Sequence, residues 1–369
     1  MQINLFLIPF VIILGLLMSQ SDNRKSRRTY IIICSTVLLF VAAMRSPEWM
    51  TNTYHIDTEN YKYMFESTRD VGWSDFFQTF YARYFMGSDE NDIGYWALNM
   101  IIGRFTTEFW MFSLIVDLLF FVPFGIILYR FSTSMRQLIF AYVFYVSLIQ
   151  VYMIGGGRQM FAIGLDLMAL LAIVDKKRLR AAMFFLLGLT IHMSSFLFII
   201  PLLMIWYGTS PRTLKTLHAL TFLMVPFVLT FSNQIIMFMG QSAGIEKYSN
   251  YGTRAIQGGS WTFIILIEML SFFCLLAIKK KDMLVNPNIR TIYVMAPLLT
   301  FFAPLVISNG TMIRISLYYH LFLTLLVSYA IDSAFGVKNS RMVYAVAIGA
   351  LSLLSIAGGG MTYYFFWQI

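Results

Sequence analysis

Apolar runs of membrane length, separated by short polar segments, set the pattern of this 369-residue chain. Ten of them, at 3–19, 30–44, 108–129, 137–154, 159–174, 217–238, 261–278, 289–307, 314–331 and 342–356, are each predicted to cross a bilayer as a helix. About 20 apolar residues suffice for that at 1.5 Å of rise per residue. Two pieces depart from the pattern. The run 94–105 is too short to cross. The run 181–207 is broken near its middle by HMSS at 192–195 and is flanked by bases on both sides. Each of its arms rises roughly 17 Å, half the hydrocarbon thickness, which predicts a re-entrant hairpin with His192 near its tip. Irregular backbone at that depth is tolerated only within protein or beside a wet cavity.

The longest polar stretch, 46–92, holds more acids than bases and many aromatic residues. It is expected to be an extracytoplasmic loop with interfacial aromatic anchors. The whole pattern predicts an all-α polytopic integral membrane protein: one transmembrane domain over 1–369, about ten transmembrane helices plus short interfacial or re-entrant helices, and no soluble domain. Composition agrees, since 59% of residues are hydrophobic and only 12% charged, with a mean hydropathy of +0.70. A soluble domain carries about 25% charged residues.

Charge then orients the helices. A net charge of +9 would suggest nucleic acid in a soluble protein. Here it reads as the basic excess of cytoplasmic loops, and no nucleic-acid partner is expected. Basic clusters at 24–28, 130–136, 176–180, 212–215, 279–290 and 338–341 are placed inside. They gather eighteen of the 27 lysines and arginines and leave nine outside. Both ends of the chain are then outside, and the first run, which lacks a basic leader and a small-residue cleavage site, is read as an uncleaved helix. Cys34 and Cys274 lie within apolar runs and suggest neither a disulfide framework nor a zinc site.

The same orientation puts Arg45, Asp57, Tyr61, Asn99, Arg158, His192, Arg254 and Arg314 on the outer face. Arginines there run against the topogenic bias, so each asks for a local reason. One is simple snorkelling to lipid headgroups. Another is convergence on a phosphate or diphosphate, which the planar guanidinium recognises bidentately without losing its charge. Arg158 follows three glycines, Gly155–Gly157, and opens a helix. Glycines permit close backbone approach to a ligand, and a helix N-terminus favours anions. His192 is either a hydrogen-bonded core residue or a general base. Asp57 is a candidate base or a helix cap over the residues that follow, with Thr58 competing. Asp117, Asp166 and Glu268, inside apolar runs, are expected to pair with a buried arginine or amide. The chain has no HExxH, P-loop, GxSxG or paired DxD, and only four histidines. A metal-independent mechanism without a cofactor is expected.

Taken in order, Arg45 followed by HIDTENYKYMF, DIGYWALN at 92–99, GRQMFAIGLDLMAL with Arg158, HMSS at 192–195, YSNYGTR with Arg254 and RISLYYHLF with Arg314 form a recognisable set. The chain resembles the EpsG family of bacterial exopolysaccharide and O-antigen (Wzy-type) polymerases over nearly its whole length. It departs at His55-Ile56-Asp57, where the family favours glycine or asparagine before its aspartate. The resemblance implies a multi-pass protein of the bacterial plasma membrane, the inner membrane in a Gram-negative cell, with its active site outside. It implies a glycosyltransferase that polymerises oligosaccharide units carried on undecaprenyl diphosphate. Arg158, Arg254, Arg314 and Arg45 would hold the diphosphate, and His192 or Asp57 would take the acceptor proton. Tyr61, Tyr95, Asn99, Tyr248 and Tyr251, with Trp49, Tyr54 and Trp96, would meet the sugars. Membrane lipids and a chain-length regulator are the other expected partners. The alternatives are a flippase or transporter of the lipid-linked unit, favoured by the buried acids but not by any internal repeat, and an O-antigen ligase, which shares the donor.

Overall fold

The computed structural model describes residues 2–47, 57–86, 92–242, 261–357 and 363–368. No β-strand occurs among them. Backbone that finds no water in hydrocarbon must satisfy itself within helices. The chain divides into two compact units, Met1–Leu202 with Ile348–Ile369, and Leu203–Ala347.

The first unit holds α1 (Asn4–Ser19), α2 (Arg24–Ala43), α3 (Thr58–Thr68), α4 (Trp73–Phe85), α5 (Ile93–Gly103), α6 (Phe109–Phe131), α7 (Met135–Gly155), α8 (Gly157–Val174) and α9 (Arg178–Ile191). After a break at His192, α10 (Met193–Trp206) leads into the second unit. That unit holds α11 (Pro211–Thr230), α12 (Ser232–Ser242), α13 (Trp261–Ala277), α14 (Lys280–Val285), α15 (Pro287–Ile307) and α16 (Gly310–Gly336). The last helix, α17 (Lys338–Ala357), begins in the second unit and ends in the first.

Eight of these, α2, α6, α7, α8, α11, α15, α16 and α17, are long and apolar enough to cross a membrane. The apolar α1 and α13, of 16 and 17 residues, account for the other two of the ten runs. The short pieces are α5 and the pair α9 and α10. The stretch 46–92 is more structured than a loop. It contains α4 and also α3, which forms because Tyr61 and Phe65, four apart, share one buried face, while Lys62 and Glu66 turn away.

Capping chemistry sets the helix starts at the basic loops. The Asn23 side chain accepts from the Ser26 N–H, Ser134 from Gln137, and Ser210 from Thr213 ahead of Pro211. Three of those loops are tied together. Arg130 pairs with Asp175 at 2.6 Å, Arg27 lies 3.6 Å from Asp22, and Asp22 accepts the Met135 N–H at 3.0 Å. The ends of α1, α6 and α8 and the starts of α2, α7 and α9 therefore share one end of the first unit. Arg45, Arg158 and His192, at the far ends of α2, α8 and α9, belong to the other.

Small residues let these helices approach. A methyl group on Gly164 of α8 would lie 2.3 Å from the Leu119 carbonyl oxygen of α6, and one on Gly94 of α5 would lie 2.2 Å from Thr190 Oγ1 of α9. Such contacts replace the hydrophobic drive that lipid does not supply. In the second unit the polar glue is His218, whose Nδ1 meets the Tyr293 hydroxyl at 2.8 Å and whose Nε2 meets Ser271 Oγ at 3.0 Å. Ser271 in turn meets Thr300 Oγ1 at 2.7 Å. This joins α11, α13 and α15 through a network with every member partnered.

Candidate functional site

Gly156 and Gly157 end the turn after α7 and start α8. A methyl group on Gly157 would sit 3.2 Å from the Tyr61 ring and 3.7 Å from an Arg45 guanidinium nitrogen. Glycine thus lets the start of α8 close onto α3 and the end of α2. The next residue, Arg158, is half-buried between two tyrosines. Its guanidinium carbon lies 5.4 Å from the Tyr61 ring centre and 5.6 Å from that of Tyr95. The two rings meet edge to face at 6.0 Å. Aromatic faces attract the cation and shield it from water.

The carboxylate that balances Arg158 is Asp92, at 2.6 Å from Nη1. Asp92 precedes α5 in the left-handed region, at φ 61 and ψ 39, a conformation disfavoured for side chains other than Asn, Asp and Gly. Sequence reasoning missed it. It stands in the quoted DIGYWALN, but reading 46–92 as one polar loop hid its position at a helix start.

Arg45 has a different place. It is 3% exposed and pairs with the wholly buried Asp117 at 2.9 Å, and its Nη1 also donates to the Ala42 carbonyl. Its charge is already neutralised inside the helix bundle. The pair ties the end of α2 to α6 beside the Arg158 cluster. Asp117 has the arginine partner expected of a buried acid. Asp166 does not. It faces Ser195 across Gly188, where an added methyl group would lie 3.1 Å from its Oδ1 and 3.2 Å from Ser195 Oγ. Glu268, in the second unit, has no hydrogen-bond partner among the described residues.

His192 ends α9 in extended backbone, at φ −153 and ψ 118, and its ring caps the helical turn that follows. Nδ1 accepts the Ser194 N–H at 3.3 Å and lies 2.6 Å from Ser194 Oγ. A backbone N–H can only donate, so a neutral His192 carries its proton on Nε2. Asp166 and Gly188 lie level on α8 and α9. Counting the rise up each helix sets His192 about 6 Å deeper than Arg158. The first turn of α5 touches both neighbourhoods, Asp92 at Arg158 and Gly94 at Thr190.

Asp57 occupies the N-cap position of α3 but its side chain makes no capping bond. It stands one turn before Tyr61. The residues expected to meet sugars are mostly enclosed. Tyr61, Tyr95 and Asn99 are buried, the tyrosines around Arg158, and Asn99 with its Nδ2 donating to Thr68 Oγ1 at 3.1 Å. Trp96 packs edge to face on Phe76. Tyr61 and Tyr95 thus frame Arg158, while Asn99 and the half-buried Trp96 pack against other neighbours. Arg314 lies in the first turns of α16 in the second unit. Arg254, Tyr248, Tyr251, Trp49, Tyr54 and His55 lie outside the described residues.

The eight membrane-length helices mark a polytopic membrane protein, and its first unit holds a half-buried, tyrosine-framed arginine at the end away from its basic loops. The family model of the EpsG family matches residues 31–358, nearly the whole length. The chain belongs to the EpsG family, and membership carries a polysaccharide-polymerase role of glycosyltransferase type. Neither the curated proteins nor the solved structures contain a significant match.

Proposed function

We propose that this protein joins undecaprenyl-diphosphate-linked oligosaccharide units into O-antigen or exopolysaccharide at the extracytoplasmic face of the plasma membrane. One observation carries the reading: Arg158, held between two tyrosine faces at the start of α8 and balanced by a strained carboxylate. The positive-inside bias supports the sidedness, because the Arg158 end of the first unit is opposite its paired basic loops.

In the reaction, the bond between the anomeric carbon of the growing chain and its diphosphate breaks. A bond from that carbon to a hydroxyl oxygen of the incoming unit forms, and the hydroxyl proton leaves. Arg158 stabilises the charge that develops on the departing diphosphate, the largest contribution in such transfers. The diphosphate offers more charge and more acceptor oxygens than Asp92, and so takes the guanidinium from it. His192, with Nε2 protonated, donates a hydrogen bond to substrate oxygen one helical turn below. Asp57, one turn before Tyr61, accepts the acceptor proton.

The test is complementation of a deletion strain, read as a surface-polysaccharide ladder on a gel. The wild-type gene restores long chains. Arg158→Ala and Arg158→Lys, both present in the membrane by immunoblot, leave single capped units, since lysine lacks the bidentate fork. Long chains from Arg158→Ala remove it from the mechanism. Surface material lost altogether points to a flippase, and free polymer not joined to its acceptor points to a ligase. Arg254→Ala and Arg314→Ala in the same assay ask whether those positions serve the same step.

A further inference from the structure

A cavity of about 300 Å³ opens between α2 and α6, away from the Arg158 cluster. Arg28 and Tyr129 stand at its mouth, Leu39 and Leu118 at its far end, and Gly125 on its floor. Its wall is apolar and turned outward, with Val122 49% and Leu118 43% exposed. A methyl group on Gly125 would lie 3.2 Å from Ile31 Cγ2, so glycine keeps the floor low.

Length and charge identify the occupant. Arg28 to Leu39 on α2, and Tyr129 to Leu118 on α6, each rise roughly 17 Å, close to one leaflet of a hydrocarbon core about 30 Å thick. A groove of one-leaflet length fits an acyl chain anchored by its headgroup at the mouth. The charges nearby are mostly engaged: Arg27 lies by Asp22, Arg130 pairs with Asp175, and Arg24 covers the Tyr129 ring at 5.5 Å. Arg28 is exposed and, among the described residues, pairs with no acid. An unpaired guanidinium at the head of an acyl-length groove suits an anionic phosphate.

We infer that the groove between α2 and α6 is a binding site for an anionic glycerophospholipid of the cytoplasmic leaflet, its phosphate on Arg28 and one acyl chain over Gly125. The site is independent of the proposed transfer reaction, lying at the basic-loop end of the same unit.

Native mass spectrometry of the full-length protein, released from detergent with phosphatidylglycerol or phosphatidylcholine of identical chains, tests this. The wild type is expected to retain one phosphatidylglycerol in preference to phosphatidylcholine. Arg28→Gln lowers that preference at least about fivefold, the weight of one basic group at a membrane surface. Arg28→Lys keeps most of it. Val122→Trp, which fills the groove from its outward wall without touching the core, displaces both lipids. Lys281→Gln, on a different basic loop, changes nothing. Equal retention of the two lipids by the wild type, or retention unaltered in Val122→Trp, overturns the assignment.

Discussion

Arg45 and Asp117 illustrate what a charge does once water is removed. The pair is almost wholly buried at 2.9 Å, and among the described residues Asp117 Oδ1 and Arg45 Nε have no further hydrogen-bond partner. Removing one member strands the other, so Asp117→Ala is expected to cost on the order of 3–5 kcal/mol. The double substitution Arg45→Met with Asp117→Leu should recover most of the loss, because a buried pair replaced by apolar groups of similar volume is often neutral. Thermal unfolding in detergent reads both. The double variant should also keep its polysaccharide ladder. A folded but inactive double variant would place Arg45 at the substrate. Asp92 makes the contrasting case at the same scale. It balances Arg158 from a strained backbone, and under the proposed mechanism it competes with the substrate. Asp92→Asn is expected to lower KM for the lipid-linked donor several-fold while leaving the fold intact. A KM unchanged or raised would make Asp92 a positioning residue and not a competitor.

At the scale of elements, helix boundaries were legible because each apolar run has a basic loop at one end. So was the break at His192, where HMSS interrupts a run too evenly flanked by charge to be a simple span. Pairing across the chain was not legible. Arg45 finds its acid 72 residues away and Arg158 finds its own 66 residues away, and no local pattern tells which acid each arginine meets. Nor did polarity reveal α3 and α4, whose amphipathic faces are short beside the membrane runs. What joins these elements is glycine contact. At Gly164 an added methyl group meets the backbone of Leu119 and Phe120, which cannot rotate aside as a side chain can. Gly164→Ala must therefore push α8 from α6, at about 1–3 kcal/mol, and carry Arg158 with it. A lower melting temperature with shorter polysaccharide chains is the expected result. An unchanged ladder would mean that the Arg158 cluster tolerates the shift.

At the scale of the molecule, the first unit is assembled from both extremes of the described chain. Asn4 Nδ2 donates to Ser355 Oγ at 2.8 Å across 351 residues. The segment Tyr363–Gln368 lies along the end of α2: Phe366 N donates to the Met44 carbonyl at 3.0 Å, and Ser46 N donates to the Tyr364 carbonyl at 2.9 Å. Buried Tyr363 sends its hydroxyl to the Val41 carbonyl, and Phe366 stacks on Trp110 at the start of α6. These bonds bracket Arg45 on both sides, so the end of the chain fixes the residue that locks α2 to α6. Truncation after residue 362 strips the partners of the Val41 and Met44 carbonyls and of the Ser46 N–H together, and each buried polar group left unpaired costs about 1–3 kcal/mol. The truncated protein should melt several degrees lower and lose long-chain polysaccharide. Trp367→Ala, at a side chain more than half exposed, should do neither. A truncated protein as stable as the wild type would mean that water or lipid satisfies the end of α2, and that the chain's last segment is not what holds Arg45 in place.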